Sequence, residues 1–576
     1  MAFPPGREGW SADVKVVIVG GVAGGATAAA RIRRLDEQAR IVVFERSGYI
    51  SYANCGLPYY IGDVITDAEE LTLQTPENFY SRFRVDMRVH HEVTAIHPEK
   101  KTVSVKNLKT GEEFEESYDK LILSPGAKPT QPRFFGADLD KVFTLRTVED
   151  TLRIKNYINE NHPKSAVLVG GGFIGLELAE NLRELGMDVT VVEYAKQLMS
   201  PFDSDMAAFI HNEMRKHDVK LVLGRAVEGF EEKDGGVDVL LKDEAPLHAD
   251  MVVLAIGVTP DTALAKEAGL ELGIKGAIVV NDRMETSVPD IYAAGDAVQV
   301  KNSVTGDDAL ISLAGPANKQ GRIIADNICG LDSRYKGSQG SSVIKVFDMT
   351  AALTGINERT AKTVGLNADT VILSPMSHAS YYPGGKVMTV KVVFEKGTYR
   401  LLGAQIVGYD GVDKRIDVLA TAIRAGLKAT DLKDLDLAYA PPYSSAKDPV
   451  NMAGFMIDNI AKGVLKQWHL EDADKLPCDG SVTLLDTRTV GEYTQGHIEG
   501  FKNIPVDELR ERLDEVEKGK SVYVICQSGL RSYIASRILE GSGYTAYNFA
   551  GGFRFFDAVM NDRALIECAT ACGRDN

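Results

Sequence analysis

Residues 166–193 read AVLVGGGFIGLELAENLRELGMDVTVVE, and the fold depends on the pattern in this stretch. Apolar residues over 166–169 predict a strand, the turn after it has the pattern GxGxxG, and a helix follows through Leu185. A second predicted strand ends at Glu193. Such a βαβ unit directs the unpaired N–H groups of its helix at a dinucleotide pyrophosphate. The candidate nucleotide-binding residues of this unit are Gly170, Gly172, Phe173, Gly175 and Glu193.

A similar unit lies about 150 residues earlier in the chain. A strand predicted at 14–19 leads into the turn GGVAGG at 20–25, an alanine-rich helix to about Leu35, and a strand over 41–44. Val22 replaces the middle glycine of GxGxxG, so this turn alone is the weaker match. Two copies in one chain nevertheless favour two dinucleotide sites over two coincidental turns. The candidate residues at the first site are Gly20, Gly21, Ala23, Gly24, Glu45 and Arg46.

The acidic residue that ends the second βαβ unit discriminates between nicotinamide nucleotides. Glu193 would accept a hydrogen bond from a free ribose 2′-hydroxyl but would repel a 2′-phosphate. The next three residues include Lys196 but no arginine that could bind such a phosphate. The pattern therefore predicts NADH rather than NADPH.

Length and composition limit the class of protein. The 576 residues are enough for about four domains, and a hydrophobic fraction of 44% with a mean hydropathy of −0.11 is typical of a globular protein. The formal net charge of −16 disfavours nonspecific binding to nucleic acid or to an anionic membrane. The apolar run at 16–30 is followed at once by Arg31, Arg33 and Arg34, and no transmembrane segment is predicted.

The cysteines argue against a secreted or zinc-binding protein. Six occur, at Cys55, Cys329, Cys478, Cys526, Cys568 and Cys572. Because no CxxC pair is among them, neither a disulfide framework nor a four-cysteine zinc site is expected, and no metal site is predicted. We expect a reducing compartment and a cytoplasmic protein.

Two further glycine turns follow apolar strands, with the sequences ILSPGA at 122–127 and PDIYAAGD at 289–296. These two turns resemble the closing motifs of the flavoproteins that have two dinucleotide-binding domains, and the two βαβ units precede them in the same order. This resemblance implies FAD at the first site and a nicotinamide nucleotide at the second. It adds Gly126 and Asp296 to the FAD-binding candidates, with Asp296 at the ribityl chain of the flavin.

Cys55 lies in the segment SYANCGLPYYIG at 51–62. A lone cysteine is more often a buried apolar residue than a nucleophile, but Asn54 and Gly56 beside it are unusual for a buried strand. The segment resembles the active-site segment of the coenzyme A disulfide reductases, in the single-cysteine branch of the flavin disulfide reductases. No second cysteine follows before Cys329, so Cys55 must bond to a substrate sulfur or to flavin, or stop at a sulfenic acid.

Two other classes of flavoprotein are compatible with this pattern. NADH peroxidases and NADH oxidases share the fold and the single cysteine, but they carry a histidine in the first glycine turn where this chain has Ala23. A redox-sensing flavoprotein would bind flavin and turn over slowly with every disulfide, and the presence of two cysteine sites argues against it.

The resemblance to the coenzyme A branch also implies a homodimer and a set of substrate residues. In that family the tyrosines matching Tyr381 and Tyr439 reach the active site from the partner subunit, with Tyr382 and Tyr443 as alternatives for the two positions. The positions that match coenzyme A contacts are Arg34, Ser51, Asn54 and Lys447.

The predicted dimerisation domain has an α+β pattern. Apolar and polar residues alternate over 387–394 and 401–407, which predicts two strands, and a helical pattern follows over 411–425. The resemblance identifies this segment as the part that pairs two subunits.

A new pattern begins after Pro477, with strands predicted at 483–486 and 521–525 and then the turn CQSGLRS at 526–532. A strand that leads through such a turn into a helix directs backbone N–H groups at an anionic sulfur. Arg531 adds a fixed positive charge.

The C-terminal segment resembles a rhodanese domain, including LDTR at 485–488 and GHIEG at 496–500. The resemblance implies that Cys526 carries sulfane sulfur as a persulfide. Cys568 and Cys572 could resolve that persulfide, although an exposed tail is the favoured interpretation of this region.

The combined prediction is an α/β protein with two Rossmann-like domains, an α+β dimerisation domain and an α/β rhodanese domain. The predicted boundaries are 1–150 and 286–335 for the FAD domain, 151–285 for NADH, 336–464 for dimerisation, 465–476 for a linker and 477–576 for rhodanese. The predicted activity is NADH-dependent reduction of coenzyme A persulfide, polysulfide or coenzyme A disulfide at Cys55, with sulfur transfer at Cys526. The partners are small sulfur compounds and a second copy of the chain.

Overall fold

The computed structural model describes residues 14–130, 134–473, 475–477 and 479–572, so Cys478 lies outside the described residues. Helix α15 is described to its end, but the side chains of Cys568 and Cys572 are not. Within these ranges the chain forms two compact units. The first comprises 14–192 with 226–340, and the second comprises 193–225 with 341–572.

The strands and helices alternate along much of the chain. The strands are β1 Lys15–Val19, β2 Arg40–Glu45, β3 Ile50–Tyr52, β4 Thr72–Gln74, β5 Asp86–Val89, β6 His91–His97, β7 Thr102–Asn107, β8 Glu113–Ser117, β9 Lys120–Leu123, β10 Ala127–Pro129, β11 Val142–Thr144, β12 Ser165–Val169, β13 Asp188–Glu193, β14 Lys220–Leu223, β15 Val227–Lys233, β16 Gly236–Leu241, β17 Leu247–Ala249, β18 Met251–Leu254, β19 Val258–Pro260, β20 Ile291–Ala293, β21 Val300–Lys301, β22 Asp308–Ala309, β23 Ser342–Val346, β24 Met349–Gly355, β25 Ala368–Leu373, β26 Met388–Glu395, β27 Leu401–Gly408, β28 Gln467–Trp468, β29 Thr483–Asp486, β30 Lys502–Asn503, β31 Ser521–Ile525 and β32 Thr545–Phe549. The helices are α1 Ala23–Leu35, α2 Leu57–Ile61, α3 Pro76–Phe83, α4 Val148–Asn161, α5 Phe173–Glu184, α6 Ser204–Lys216, α7 Ala263–Glu267, α8 Ala314–Ile328, α9 Glu358–Thr363, α10 Val412–Ala425, α11 Pro449–Ala461, α12 Leu470–Ala473, α13 Val490–Gln495, α14 Leu530–Gly541 and α15 Gly552–Cys572.

The first unit contains a parallel sheet in the order β20-β9-β1-β2-β5. Its central strand β1 is buried from Val16 to Val19, and it pairs with β2 and with β9. Helix α1 packs against α8, and both contribute to the apolar core. Because β20 follows the second βαβ unit in sequence but joins this sheet, the sheet is assembled from two separate parts of the chain.

A second parallel sheet in this unit has the order β11-β18-β12-β13. The pairing of Val169 with Val192 aligns the ends of the two strands of the second βαβ unit. Strand β11 ends at Thr144, so it belongs to this sheet although it precedes the predicted domain boundary at 150.

The second unit contains an antiparallel sheet in the order β23-β24-β27-β26-β25. All of β27 and all of β26 except Glu395 are buried, which differs from the half-exposed strands that alternation predicted. The polar residues stay buried because they have partners, since Lys391 forms ion pairs with Asp203 at 3.1 Å and Asp205 at 2.7 Å. The sheet is therefore covered on both faces, by α10 and by the α6 segment.

A third sheet, also in the second unit, has the parallel order β28-β32-β31-β29-β30. Strand β28 lies within the predicted linker 465–476, so this sheet starts at Gln467, ahead of the predicted boundary at 477. Trp468 explains the difference, because its buried ring packs 4.3 Å from that of Phe549. Among the described helices, none has the length and apolar character needed to cross a membrane.

Candidate active sites

The first glycine turn lies so close to the chain around Ser124 that only small residues fit there. Gly20 has a φ of 96°, and a Cβ there would lie 2.1 Å from the Ser124 carbonyl oxygen. A Cβ on Gly24 would lie 2.6 Å from the Ser124 Oγ. Val22 has a φ of −103°, which any residue adopts, so the missing middle glycine imposes no backbone strain. The residues present therefore fit a bound dinucleotide.

Glu45 closes this turn at the end of β2. Its Oε2 accepts from the Gly21 N–H at 2.9 Å, and its Oε1 accepts from the Ser47 N–H at 2.9 Å. Arg46, which follows it, forms an ion pair with Asp261 at 2.8 Å. Ala23 begins α1, whose N-terminus has no side-chain cap. An uncapped helix N-terminus of this kind offers free N–H groups to a pyrophosphate, while the Glu45 carboxylate holds the backbone on both sides of the turn.

The two later glycine motifs contribute a charged pair. Gly126 has a φ of 71°, and Asp296 accepts from Arg146 Nη2 at 2.7 Å. The Gly295 N–H beside it donates to Gln320 at 2.8 Å. Arg146 was not among the sequence candidates, and only its position between the two turns in space identifies it.

Cys55 lies in a short 3-10 turn, Asn54–Gly56, directly before α2. The turn is tied to the first glycine turn, because the Ser51 N–H donates to the Gly21 carbonyl oxygen at 2.9 Å. Ser51 has a φ of 46°, an unusual conformation for a residue other than glycine and one that is concentrated at functional sites. Cys55 itself is exposed.

Two carboxylates and one guanidinium act on the Cys55 thiol. Burial raises its pKa, Glu177 and Asp296 raise it further, and Arg146 lowers it. The protein groups by themselves thus favour the thiol over the thiolate.

Glu177 is a site residue that the sequence did not single out. It lies on α5, shortly after the second glycine turn, and burial raises its pKa to about 7. The Tyr59 hydroxyl lies 3.5 Å from Glu177 Oε1. The sequence shows an acidic residue between two leucines, Leu176 and Leu178, which are buried in the structure. Nothing in the neighbouring sequence connects this residue to Cys55. The structure therefore adds a group that can hold a proton near neutral pH.

The second glycine turn repeats the tight geometry of the first. A Cβ on Gly170 would lie 2.4 Å from the Ala255 carbonyl oxygen, and one on Gly175 would lie 2.1 Å from the Gly170 carbonyl oxygen. A Cβ on Gly172 would meet nothing within 4 Å. That open space lies at the N-cap of α5, ahead of Phe173, where the helix has no side-chain cap. The residues fit a second dinucleotide.

Glu193 ends β13, and its carboxylate turns to the backbone that follows. Oε1 accepts from the Ala195 N–H at 2.8 Å, while the Glu193 carbonyl oxygen accepts from the Arg225 N–H at 3.1 Å. An arginine thus lies beside Glu193 in space although 194–196 contains none. The sequence could not indicate this neighbour, because a helix and a strand separate the two residues.

The two tyrosines implied by the resemblance lie together. The Tyr381 and Tyr439 hydroxyls are 2.7 Å apart, and this hydrogen bond, with a smaller effect of burial, raises the pKa of Tyr439. Tyr382 instead packs edge-on against His378, and Tyr443 is exposed. Tyr381 and Tyr439 therefore form one unit among the four candidates.

The four candidate coenzyme A residues occupy accessible positions. Arg34 is exposed and lies 6.0 Å from the ring centre of Phe83, and Lys447 is exposed. Ser51 and Asn54 are half-buried.

The second candidate cysteine, Cys526, directly follows β31. Its buried Sγ accepts hydrogen bonds from the Gly529 N–H and from the Ser532 hydroxyl, each at 3.1 Å. Gly529 has a φ of 95°, which turns its N–H toward the sulfur before α14 begins. The loop thus presents two donors to one sulfur atom.

Arg531 is neutralised by a partner that the sequence did not reveal. Its guanidinium donates to both oxygens of Glu492 at 2.7 Å, and these bonds, opposed by burial, lower the pKa of Glu492 to about 2. The buried Arg488 lies beneath the loop, bonded to Asp486 and to Gln527. The two arginines next to the Cys526 loop are therefore both in ion pairs, Arg531 with Glu492 and Arg488 with Asp486.

Comparison with known proteins connects these sites. Residues 14–321 match the family model described as pyridine nucleotide-disulphide oxidoreductase. The chain belongs to this family. Residues 341–449 match the dimerisation domain of pyridine nucleotide-disulphide oxidoreductases, and 469–558 match a rhodanese-like domain. Membership implies FAD and a nicotinamide nucleotide as cofactors.

This pyridine nucleotide-disulphide oxidoreductase is similar to reductases of coenzyme A disulfide and of persulfide. A coenzyme A disulfide reductase of Staphylococcus aureus is 38% identical over 442 residues, 77% of this chain and 99% of that protein. The crystal structure of reduced Bacillus anthracis CoADR-RHD matches with a TM-score of 0.93 and 50% identity, covering 96% of this chain and 99% of that one. A NAD-dependent persulfide reductase from A. fulgidus matches with a TM-score of 0.89 and 39% identity, covering 94% and 100%. The predicted family, fold class and enzyme class are confirmed, and the chain is a FAD-dependent reductase with a rhodanese-like domain.

Proposed function

We propose that this enzyme uses NADH to reduce coenzyme A persulfide, polysulfide or coenzyme A disulfide at Cys55, and that Cys526 transfers sulfane sulfur. The observation that carries the proposal is the exposed thiol of Cys55, whose segment is tied by Ser51 to the first glycine turn. The active form would be a homodimer in the cytoplasm, and the match to a dimerisation domain supports the pairing of two subunits.

The residues that would hold FAD are those of the first turn, Glu45, Gly126 and Asp296, and those for NADH are the second turn and Glu193. When bound, FAD supplies two-electron transfer between NADH and a cysteine sulfur. The backbone N–H groups of the two glycine turns would bind the pyrophosphates and thereby fix the positions of the two cofactors.

Cys55 acts first as the nucleophile. Its thiolate attacks coenzyme A disulfide to give a mixed disulfide with coenzyme A and one coenzyme A thiolate. With coenzyme A persulfide the same attack on the inner sulfur gives the same mixed disulfide and releases hydrosulfide. Both substrates thus converge on one enzyme form, which two electrons and a proton return to the thiolate and free coenzyme A.

The tyrosine pair and Glu177 handle protons in this proposal. The hydrogen-bonded hydroxyls of Tyr381 and Tyr439 donate to a departing thiolate, and in the homodimer they act on the site of the partner subunit. Glu177, with a pKa of about 7, holds a proton near Cys55 at neutral pH.

Cys526 supplies the second activity. Its thiolate takes the terminal sulfur of a polysulfide, becomes a persulfide, and releases the shortened chain. A coenzyme A thiolate then attacks the terminal sulfur, which forms coenzyme A persulfide and restores Cys526. The two donors on Sγ stabilise the negative charge that returns to it.

The test compares three substrates and two variants. We expect NADH oxidation with coenzyme A disulfide, coenzyme A persulfide and polysulfide, measured as kcat/KM side by side with NADPH. Cys55→Ser abolishes all three reductions, whereas Cys526→Ser abolishes sulfur transfer from polysulfide but spares reduction of coenzyme A disulfide. Retained turnover in Cys55→Ser contradicts the assigned nucleophile, loss of both activities in Cys526→Ser contradicts separate sites, and oxygen consumption at a comparable rate favours the oxidase alternative.

A further inference from the structure

The loop that follows Glu193 is held in a conformation that its own sequence disfavours. Met199 has a φ of 50°, although it is not a glycine, and Leu198 and Met199 are both buried. A non-glycine residue in this region of φ persists only where the surroundings impose it. Contacts from outside the loop must therefore maintain its shape.

One such contact comes from His211 on α6. The Leu198 N–H donates to His211 Nε2 at 2.9 Å, so this nitrogen carries no proton. The proton is consequently on Nδ1, which lies 2.8 Å from Asp562 Oδ2 and donates to it. Only 1% of His211 is exposed, so water does not compete for either bond.

Asp562 belongs to α15, the last helix of the rhodanese-like domain. It also accepts from Arg215 Nη1 at 2.6 Å. Burial disfavours its charge, but the bonds from His211 and Arg215 keep its pKa below the usual range. Asp562 is therefore a charged acceptor that selects one tautomer of His211.

The far end of the loop is fixed by the dimerisation domain. Asn357 Nδ2 donates to the Pro201 carbonyl oxygen at 2.9 Å, and Asp203 forms an ion pair with the buried Lys391. The stretch between Glu193 and Pro201 is thus restrained at its far end by the dimerisation domain and in its middle, at Leu198, by His211, which is bonded in turn to Asp562.

We propose that the Asp562–His211 pair positions the loop after Glu193, so that the rhodanese-like domain sets the affinity of the reductase for its nicotinamide nucleotide. His211 and Asp562 are positioning residues, since they act on the nucleotide through Leu198 and not by contact. This inference rests on the proposed role of Glu193 at the NADH ribose.

The test uses substitutions at the two ends of this chain of contacts, in the full-length holoenzyme. His211→Phe fills a similar volume but cannot accept from Leu198, and we expect the KM and the Kd for NADH to rise about three- to tenfold, the size of one net hydrogen bond. The kcat with coenzyme A disulfide remains unchanged, because Cys55 is unaffected. His211→Gln restores an acceptor for the Leu198 N–H and recovers most of the affinity.

Two further variants separate the effect of the Asp562–His211 pair from the effect of packing between α6 and α15. Asp562→Ala raises the Kd for NADH in the same direction. Asn212→Ala, one residue from His211, removes the hydrogen bond to the Ala558 carbonyl oxygen at 3.0 Å and leaves NADH binding unchanged. If His211→Phe does not retain FAD, Asp562→Ala decides the comparison.

The inference is wrong if NADH binds to the decisive variant as it does to the unaltered enzyme, or if Asn212→Ala weakens binding equally. Fluorescence titration of NADH gives the Kd without turnover. If the unaltered enzyme binds NADH but reduces no sulfur substrate, the proposed function is wrong. The comparison of Kd values between the variants still tests the role of His211 and Asp562.

Discussion

The two candidate cysteines lie in opposite surroundings. Cys526 is buried, and its sulfur receives two hydrogen bonds from its own loop. Cys55 is exposed as a residue, but partial burial of its sulfur and, after that, nearby carboxylates raise its pKa. The loop around Cys526 is complete within one polypeptide segment, whereas Cys55 depends on groups from outside its segment to become a thiolate. A preorganised loop suits repeated exchange of a sulfur atom, while a responsive site suits a thiol whose state changes with the cofactors.

The largest effect should come from the ion pair beneath the Cys526 loop. Asp486 and Arg488 are both buried, so Asp486→Ala leaves a buried guanidinium without its carboxylate. We expect a loss of about 3–5 kcal/mol from the free energy of unfolding of this domain. Urea titration followed by the fluorescence of the buried Trp468 measures it.

Asp486→Asn is the matched control, because it keeps an oxygen that accepts from Arg488. It should lose clearly less stability than Asp486→Ala. Equal losses would show that the charge contributes nothing, and the Cys526 loop would then not rest on this pair.

The next effect concerns Glu177 beside Cys55. Its pKa is raised from 4.5 to about 7, so the fold favours the protonated form. The stability from this preference is present below pH 4.5 and is lost as pH rises through 7. Glu177→Gln removes that loss, and above pH 7 we expect the variant to gain up to about 3 kcal/mol relative to the unaltered protein. Chemical unfolding across this pH range measures the difference.

The same substitution acts on the thiol. Without the Glu177 carboxylate, the pKa of Cys55 falls, and alkylation of the Cys55 peptide by iodoacetamide, followed by mass spectrometry, begins at lower pH. The Cys526 peptide serves as the internal control. If the pH dependence of Cys55 alkylation is the same in Glu177→Gln as in the unaltered protein, Glu177 does not raise the pKa of Cys55.

A smaller effect is expected from one donor at Cys526. Ser532→Ala removes the hydroxyl that bonds to Sγ, and kcat for sulfur transfer should fall about tenfold. Reduction of coenzyme A disulfide should not change. Ser536→Ala is the control, because its hydroxyl bonds to the Ser532 carbonyl oxygen at 2.8 Å and not to the sulfur. If kcat for sulfur transfer falls equally in the two variants, the hydrogen bond from Ser532 to the sulfur has no specific role.

The smallest effect is expected at Glu492. Its pKa of about 2, held low by Arg531, contributes stability that is present above pH 4.5 and lost as pH falls through 2. About a third of the side chain is exposed, so screening reduces the contribution to about 1 kcal/mol. Glu492→Gln should lose this amount at pH 7 in thermal unfolding, and no loss would mean that the pair with Arg531 is fully screened.

Local patterns predicted the fold well, because a βαβ unit is encoded within about 30 residues. The strand and helix around each glycine turn lie within a residue or two of their predicted positions. The supporting groups were not predictable, since His211 and Asp562 are 351 positions apart in sequence and meet only in the folded chain. Glu177 and Glu492 were missed for the same reason. Burial of β26 and β27 on both faces was missed because the partners of Lys391 lie on another segment.

Strand β28 leaves almost no free chain between the dimerisation and rhodanese-like domains. The three residue-to-residue steps from Val464 to Gln467 span at most about 10 Å even when extended, and Gln467 and Trp468 are already bonded to Thr370 and Val524. The domain that carries Cys526 cannot act as a swinging arm. Under the proposed function, sulfur from Cys526 travels on a dissociable carrier, so a thiol-trapping reagent added during turnover should intercept it in solution.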